Sequence, residues 1–163
     1  MVLFFVWTTL SFPAIVQSET LDPESVQFII SVLPQVAVFQ NLDEAQLKKV
    51  AAVVEVVERG AGDRIIEQGK RIGKMAIPVD TPIQIRINGK IIRVFPENTL
   101  VGEVEFLEKV PATADVVLMK KSKVLLLPHG PFKRLMDDHP ELGHRVMWEM
   151  SKMEAYRLRT NNP

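Results

Sequence analysis

Residues 83–95 read I-Q-I-R-I-N-G-K-I-I-R-V-F, and this stretch decides the fold class. Isoleucine recurs at every second position from Ile83 to Ile87, with polar side chains between, which predicts a strand with one face in water. The Asn88-Gly89 pair that follows is the strongest short signal for a hairpin turn. Residues 91–95 then supply the returning strand. The stretch therefore predicts an antiparallel pair of strands.

Further short strand candidates lie before and after this hairpin, separated by turn residues. They are residues 53–57, 64–66, 75–79, 115–119 and 123–127. Many short strands at regular spacing are typical of a barrel or a sandwich, so the chain is predicted to be mainly β.

Helices are predicted on both sides of the strands. Before them, Asn41 is expected to cap a helix whose first turn holds Asp43 and Glu44, where the helix dipole favours acids. After them, Pro131 suits the first position of another helix, and Asp138-His139-Pro140 should end it. The chain is therefore expected to be a β domain with flanking helices.

The last helix is predicted to be amphipathic, with an apolar stripe and a polar side. The stripe consists of Leu142, Val146, Met150 and Met153. The polar side consists of Arg145, Glu149, Lys152 and Glu154. Methionine-rich faces occur at adaptable interfaces, so Met147, Met150 and Met153 are candidates for binding a partner. The alternative is that this helix only covers the strands.

The composition excludes several classes of site. The chain has 163 residues, 20 basic and 20 acidic side chains, a formal net charge of zero, and no cysteine. A general attraction to nucleic acid is not indicated, and disulfides, thiolate metal sites and cysteine nucleophiles are excluded. His139 and His144 do not have the spacing of two metal ligands one helical turn apart. There is no nucleophile elbow, Walker loop or H-E-x-x-H, so neither an enzyme nor a metal site is expected.

Residues 1–18 carry no charged side chain and read M-V-L-F-F-V-W-T-T-L-S-F-P-A-I-V-Q-S. A spanning helix needs about 17–25 apolar residues, so this segment is long enough to anchor the chain in a membrane or dock it there. Phe4, Phe5, Trp7 and Phe12 are expected to make that contact, leaving a soluble domain on one side. Two alternatives stay open. One is a cleaved signal peptide, although no basic residue precedes the apolar run, and the other is a helix buried against a protein partner.

Residues 19–38 are predicted to form a linker and a short helix. Residues 18–24 are polar and contain Asp22-Pro23, which is typical of a boundary. Pro34 interrupts the apolar run that follows, so a helix packing on the next domain should end before it. The alternative is a second segment on the membrane surface. The predicted division of the chain is 1–18, 19–38 and 39–163.

A helix, a set of short strands and two closing helices, in that order, resemble the cyclic-nucleotide-binding domain family. Four pieces carry the resemblance, each in the family's order and spacing. They are F-Q-N-L-D-E-A-Q-L at 39–47, G-D-R-I-I-E-Q-G at 62–69, V-G-E-V-E-F-L-E-K-V-P-A-T-A-D-V at 101–116 and F-K-R-L-M-D-D-H-P-E-L at 132–142. The resemblance implies a double-stranded β-helix, or jelly-roll barrel, with flanking helices.

The third piece resembles the family's phosphate-binding cassette, a short helix entered by a Gly-Glu pair. The resemblance assigns ligand-binding positions to Gly102, Glu103, Ala112, Thr113 and Ala114. In the family, backbone N–H groups and an arginine hold the cyclic phosphate, and the glutamate holds the ribose 2′-hydroxyl. Ala112 stands where that arginine is expected, and Glu105 where the family usually has a small neutral residue. A further carboxylate repels a phosphate, so the resemblance implies a degenerate cassette.

These features predict a non-catalytic regulatory or scaffold subunit that contacts a protein partner in a membrane complex and needs no cofactor. The alternative is a working sensor of cAMP or cGMP that signals ligand binding through its C-terminal helices. Neither nucleic acid nor a metal ion is expected as a partner. Pairing of the last helix with a second copy of the chain, as in dimeric relatives, stays open.

Overall fold

The computed structural model describes residues 22–161. The predictions for residues 1–18, including docking through Phe4, Phe5, Trp7 and Phe12, lie outside the described residues. Within residues 22–161, no helix is both long enough and apolar enough to cross a membrane.

Seven strands lie between two pairs of helices, and one short helix is inserted between the fifth and sixth strands, in the order that the sequence predicts. The helices are α1 (Pro23–Val32), α2 (Glu44–Ala51), α3 (Glu103–Glu108), α4 (His129–Asp138) and α5 (Pro140–Asn161), and a single 3-10 turn covers Leu33–Gln35. The strands are β1 (Glu55–Arg59), β2 (Arg64–Ile66), β3 (Lys74–Pro78), β4 (Ile83–Ile87), β5 (Lys90–Phe95), β6 (Asp115–Leu118) and β7 (Ser122–Pro128).

The strands form two antiparallel sheets, ordered β1-β7-β3 and β2-β6-β4-β5. β1 and β2 follow each other in the chain, but each pairs with a different strand, so the sheets do not close into the expected continuous barrel. Buried side chains from both sheets nevertheless share one apolar core. Ile66 and Ile83 contribute from the four-stranded sheet, and Val124 from the three-stranded one. The mainly-β prediction is confirmed. In place of the expected closed barrel, the strands form two open sheets that pack against each other.

The predicted hairpin between β4 and β5 is confirmed. Asn88 and Gly89 adopt φ values of 51° and 78°, the pair of positive values that a two-residue hairpin turn of type I′ requires. Ile87 pairs with Lys90 across the turn, and a bulge between Ile85 and Arg86 shifts the register further along. Local turn chemistry thus sets the start of this ladder.

A second core lies between the helices and the three-stranded sheet. Ile29 and Leu33, at the end of α1, are fully buried there beside residues of α2, α4 and α5. The helix ends at Val32, before Pro34, as predicted. Burial of Ile29 and Leu33 in this core accounts for the apolar run that the alternative placed on a membrane surface.

Two helix starts differ from the sequence predictions. Asp43, and not Asn41, caps α2, because the Asp43 side chain and Gln46 form a reciprocal capping box. Asn41 instead donates from its side-chain amide to Glu149 Oε1 at 2.8 Å. α4 begins at His129, two residues before Pro131.

The packing of α5 corrects the proposed partner face. Leu142 and Val146 are buried as predicted, but Met150 is only 1% exposed, and Met147 and Met153 pack against the same core. This helix therefore covers the domain with its methionines, and Met150 is wrong as a partner-binding residue. Glu149, predicted on the polar side, is also buried, because the Asn41 amide and the Lys152 ammonium occupy its oxygens.

Candidate ligand-binding site

The start of α3 depends on a glycine. Gly102 precedes the helix with φ of 86°, in the left-handed region that side chains rarely adopt. A Cβ there would lie 3.0 Å from Ile72 Cδ1 and 3.3 Å from the Met75 Cα. Backbone conformation and close packing therefore both require glycine. The turn places Glu103 at the first position of the helix, buried against the domain.

A cavity of about 110 Å³ opens beside this turn. The cassette residues that line it are Gly102, Glu103, Glu105, Thr113 and Ala114, and Arg157 lines it as well. Its apolar walls include Ile66, Ile85, Phe95 and Val116. The structure thus brings together four of the five residues predicted from the cassette. Ala112 does not line the cavity, because it is buried in the core between the two sheets.

Glu105 is held inside the site by a backbone group. It is 7% exposed, and its Oε1 accepts a hydrogen bond from the Thr113 N–H at 3.1 Å. Ala112, the residue before Thr113, is also held by backbone hydrogen bonds. Its N–H donates to the Lys70 carbonyl at 2.8 Å, and its carbonyl accepts from the Gly69 N–H at 2.7 Å. The loop after α3 therefore presents its Thr113 N–H to a carboxylate of the same chain.

Glu103 is the more deeply perturbed acid of the site. It is 6% exposed, and burial raises its pKa to about 7, against the opposing attraction of the Arg157 guanidinium. Its Oε1 accepts from Arg157 Nη1 at 2.5 Å. Its Oε2 is buried and has no hydrogen-bond partner among the described residues. An acceptor inside the cavity is therefore available to a further donor.

Arg157 reaches the cavity from α5, and the sequence reasoning missed it. Its Nη1 also donates to Glu154 at 2.9 Å, and its Nη2 donates to the Leu100 carbonyl at 2.7 Å. Its guanidinium lies over the Phe95 ring, 4.8 Å from the centroid. The sequence contains one signal for it. Arg157 follows Met153 by four residues, so it lies on the same stripe of the helix as the buried side chains. A cation at a buried position needs a partner, and here the partner is Glu103.

Other cations near the cassette are engaged elsewhere. Arg71 donates to the Lys109 carbonyl at 3.1 Å, and Lys74 pairs with Glu55. Among the described residues that line the cavity, Arg157 is the one cation. It pairs with the carboxylates of Glu103 and Glu154, and Glu105 lines the same cavity.

Behind α3, His129 packs its ring against Phe106, with 5.2 Å between centroids. Its Nε2 is buried and has no hydrogen-bond partner in the described part of the chain. Burial lowers the pKa of His129, and the Glu105 carboxylate acts in the opposite direction. Within residues 22–161, no group of three His, Asp or Glu side chains is arranged to hold a metal ion.

The family model for the cyclic nucleotide-binding domain matches residues 56–139. A curated relative is the Pycsar effector protein XpPycTIR of Xanthomonas perforans, 24% identical over 112 residues. That match covers 68% of this chain and 37% of the relative, so the chain spans little more than a third of that protein's length.

Among the solved proteins that are similar in structure are two whose matches cover more than two thirds of this chain. One is the regulatory subunit of a cAMP-independent protein kinase A from Trypanosoma brucei, with 26% identity and a TM-score of 0.62, over 69% of this chain and 42% of that one. A variant of that subunit is bound to cAMP in its A site and carries glutamate-to-alanine, threonine-to-arginine and valine-to-alanine substitutions. It matches with 25% identity and a TM-score of 0.62, over 69% of this chain and 42% of that one. The other is a cyclic nucleotide-binding domain from Methylobacillus flagellatus, with 12% identity and a TM-score of 0.73, over 85% and 80% of the two chains.

Proposed function

This chain belongs to the cyclic nucleotide-binding domain family, and from that premise we propose that it is a non-catalytic regulatory module whose cassette excludes a cyclic phosphate. The observation that carries the proposal is the hydrogen bond from the Thr113 N–H to Glu105 Oε1. A donor that the family resemblance assigns to the ligand phosphate is already satisfied by an anion of the chain itself.

Charge reinforces this exclusion. A cyclic phosphate entering the cavity meets Glu103 and Glu105 in its wall, and at Ala112 the expected arginine is missing. A charge-assisted hydrogen bond contributes about 1.5–3 kcal/mol. Its loss alone weakens binding by about tenfold to more than a hundredfold, at about 1.4 kcal/mol per decade. Repulsion from the two carboxylates acts in the same direction.

The Trypanosoma brucei subunit supports this reasoning. In its cAMP-bound variant the replaced glutamate and threonine are seven positions apart, and the replaced valine follows the threonine. Glu105, Ala112 and Thr113 have the same separations in this chain. Removing a glutamate and adding an arginine at that spacing accompanies cAMP binding in that protein, so the natural residues here favour a cassette without cAMP.

The regulatory role is proposed to operate through a protein partner. β5 is an edge strand, and Ile91, Ile92 and Val94 on it are each more than half exposed (54, 59 and 51%). The Arg93 side chain donates to the Thr160 carbonyl at 2.9 Å, which places this exposed strand beside the end of α5. Exposed apolar side chains in one place are typical of interaction surfaces. Residues 1–18, uncharged and apolar, are proposed to hold the complex at a membrane.

A working cAMP or cGMP sensor is the second candidate. The observation that favours it is the unpartnered Glu103 Oε2, a buried acceptor suited to a ribose hydroxyl. In that case the ligand would have to displace Glu105 from the Thr113 N–H before its phosphate could bind.

Calorimetric titration of the full chain with cAMP and cGMP separates the two functions. We expect no binding by the natural chain up to millimolar nucleotide. A triple variant, Glu105→Ala with Ala112→Arg and Thr113→Ala, should bind cAMP at least a hundredfold more tightly. Glu108→Ala on the exposed side of α3 is the matched control and should not bind. Micromolar binding by the natural chain would overturn the proposal and establish the sensor.

A further inference from the structure

The cavity beside α3 has the electrostatic character of a cation site. Glu103 and Glu105 line it, both less than one-tenth exposed, and Glu154 stands next to the single guanidinium. Carboxylates removed from water attract a cation strongly when they are ionised, as Glu103 is above its pKa of about 7, because little solvent screens them. Arg157 alone does not balance them.

The contacts of Arg157 are those that a guanidinium group prefers. Its two terminal nitrogens donate to a carboxylate and a backbone carbonyl, and its central carbon lies over an aromatic ring, 4.8 Å from the centroid. The three partners, Glu103, Leu100 and Phe95, all lie in the stretch that runs from the last residue of β5 to the first residue of α3. These residues thus form a pocket for a guanidinium group, and α5 supplies that group as the side chain of Arg157.

One acceptor of the pocket, Glu103 Oε2, is not used by Arg157. Arg157 engages Glu103 only through Oε1, while Oε2 of the same buried carboxylate is unpartnered among the described residues. An arginine and a carboxylate commonly form two parallel hydrogen bonds, and here the Arg157 nitrogens are divided among three acceptors. A guanidinium group that is not attached to α5 can donate to both carboxylate oxygens of Glu103, whereas Arg157 donates only to Oε1.

Arg157 sits in the last turns of α5, a helix that ends four residues later, at Asn161. Tyr156 and Leu158, on either side of it, are 59% and 69% exposed. Helix ends open at the lowest free-energy cost in a fold, so this end can move aside without unfolding the domain.

We propose that the cassette cavity is a binding site for a guanidinium cation, occupied by Arg157 in the closed form and by an external guanidinium group when the end of α5 moves away. The inference rests on the proposed function, since the same carboxylates that repel a cyclic phosphate attract a cation. Such a ligand competes with Arg157 and thereby releases the helix end that adjoins β5.

Chemical rescue of Arg157→Ala tests the site. Methylguanidinium chloride should raise the Tm of this variant by about 3–5 °C at tenfold excess over its Kd. The uncharged isostere methylurea should not. The double variant Arg157→Ala with Glu103→Gln is the matched control, which corrects for denaturation by the salt and should show no rescue. Equal effects of methylguanidinium on the single and double variants would overturn the inference.

A second readout uses the natural chain, so that the test does not depend on the stability of the variant. Methylguanidinium should speed amide hydrogen exchange of residues 156–160 severalfold by displacing Arg157, whereas methylurea should leave it unchanged. Unaltered exchange at saturating methylguanidinium would overturn the inference. Titrating cAMP in parallel distinguishes the two proposals, because cAMP binding by the natural chain contradicts the proposed function whatever methylguanidinium does.

Discussion

The guanidinium of Arg157 donates to the buried carboxylate of Glu103, joining two residues that are 54 positions apart in the chain. The bond connects the first residue of α3 with the last turns of α5. Glu103 belongs to the Gly-Glu pair that marks the cassette, so the contact links the family's ligand pocket to the C-terminal helix.

Arg157→Ala should lower the free energy of unfolding by about 3 kcal/mol at pH 8, because removal of one partner leaves a buried charge uncompensated. Urea denaturation measures the change. Arg159→Ala, an exposed change two residues away, should alter stability by no more than about 0.5 kcal/mol. Equal effects of the two substitutions would show that the ion pair contributes nothing.

Glu103 should give stability a distinctive dependence on pH. Its pKa in the folded chain is about 7, above the ordinary value of 4.5, so the folded state binds its proton more tightly than the unfolded state does. This contribution is fully present below about pH 4.5 and is lost as the pH rises through about 7. The loss is on the order of 3 kcal/mol, at about 1.4 kcal/mol per pKa unit.

Glu103→Gln isolates that contribution. The unfolding free energy of the natural chain, minus that of this variant, should fall as the pH rises from 4.5 to 7. Urea denaturation at several pH values measures it. A difference that does not vary with pH would mean that Glu103 titrates normally in the folded chain.

Gly102→Ala should destabilise the chain by about 2–3 kcal/mol, since it combines a positive φ with crowding against Ile72 and Met75. Gly69→Ala is the matched control, because Gly69 has a φ of 80° and no atom within 4 Å of the added Cβ. That change should cost only about 1 kcal/mol from backbone strain. Thermal or urea unfolding of both variants separates packing from conformation.

Gly143→Ala should destabilise the chain by about 1–2 kcal/mol, although alanine normally favours a helix over glycine by about 1 kcal/mol. The added Cβ would lie 2.9 Å from the Met136 carbonyl oxygen, where α5 crosses α4. Gly130→Ala in α4 meets only the Arg134 side chain at 3.5 Å and should be stabilising. Opposite signs in urea denaturation are the expected result.

The full chain should float with lipid vesicles in a density gradient if residues 1–18 dock on a membrane. Phe5→Asp should reduce flotation several-fold, because a charge in the apolar segment opposes insertion by about 2.5–3.5 kcal/mol at a helix centre. Glu24→Gln, beyond that segment, is the control. Flotation unaffected by Phe5→Asp would remove the proposed anchor.

Local signals in the sequence determined much of the fold. The alternation from Ile83 to Ile87 and the Asn88-Gly89 turn specify the hairpin, because strand period and turn conformation depend only on adjacent residues. The end of α1 before Pro34 was predictable for the same reason, whereas the Gly102-Glu103 start of the cassette was predictable from the resemblance to the family. Ala112 and Glu105 were also visible as departures from the family pattern.

Only the tertiary structure decided which side chains meet. The open edges of the two sheets depend on pairing between distant strands, which local pattern does not encode. Met150 and Glu149 are both buried because α5 packs against the rest of the domain, whereas the sequence shows only their spacing along one helix. Arg157 enters the cassette cavity for the same reason, since the attraction between its charge and Glu103 acts only after α3 and α5 have been brought together by the fold.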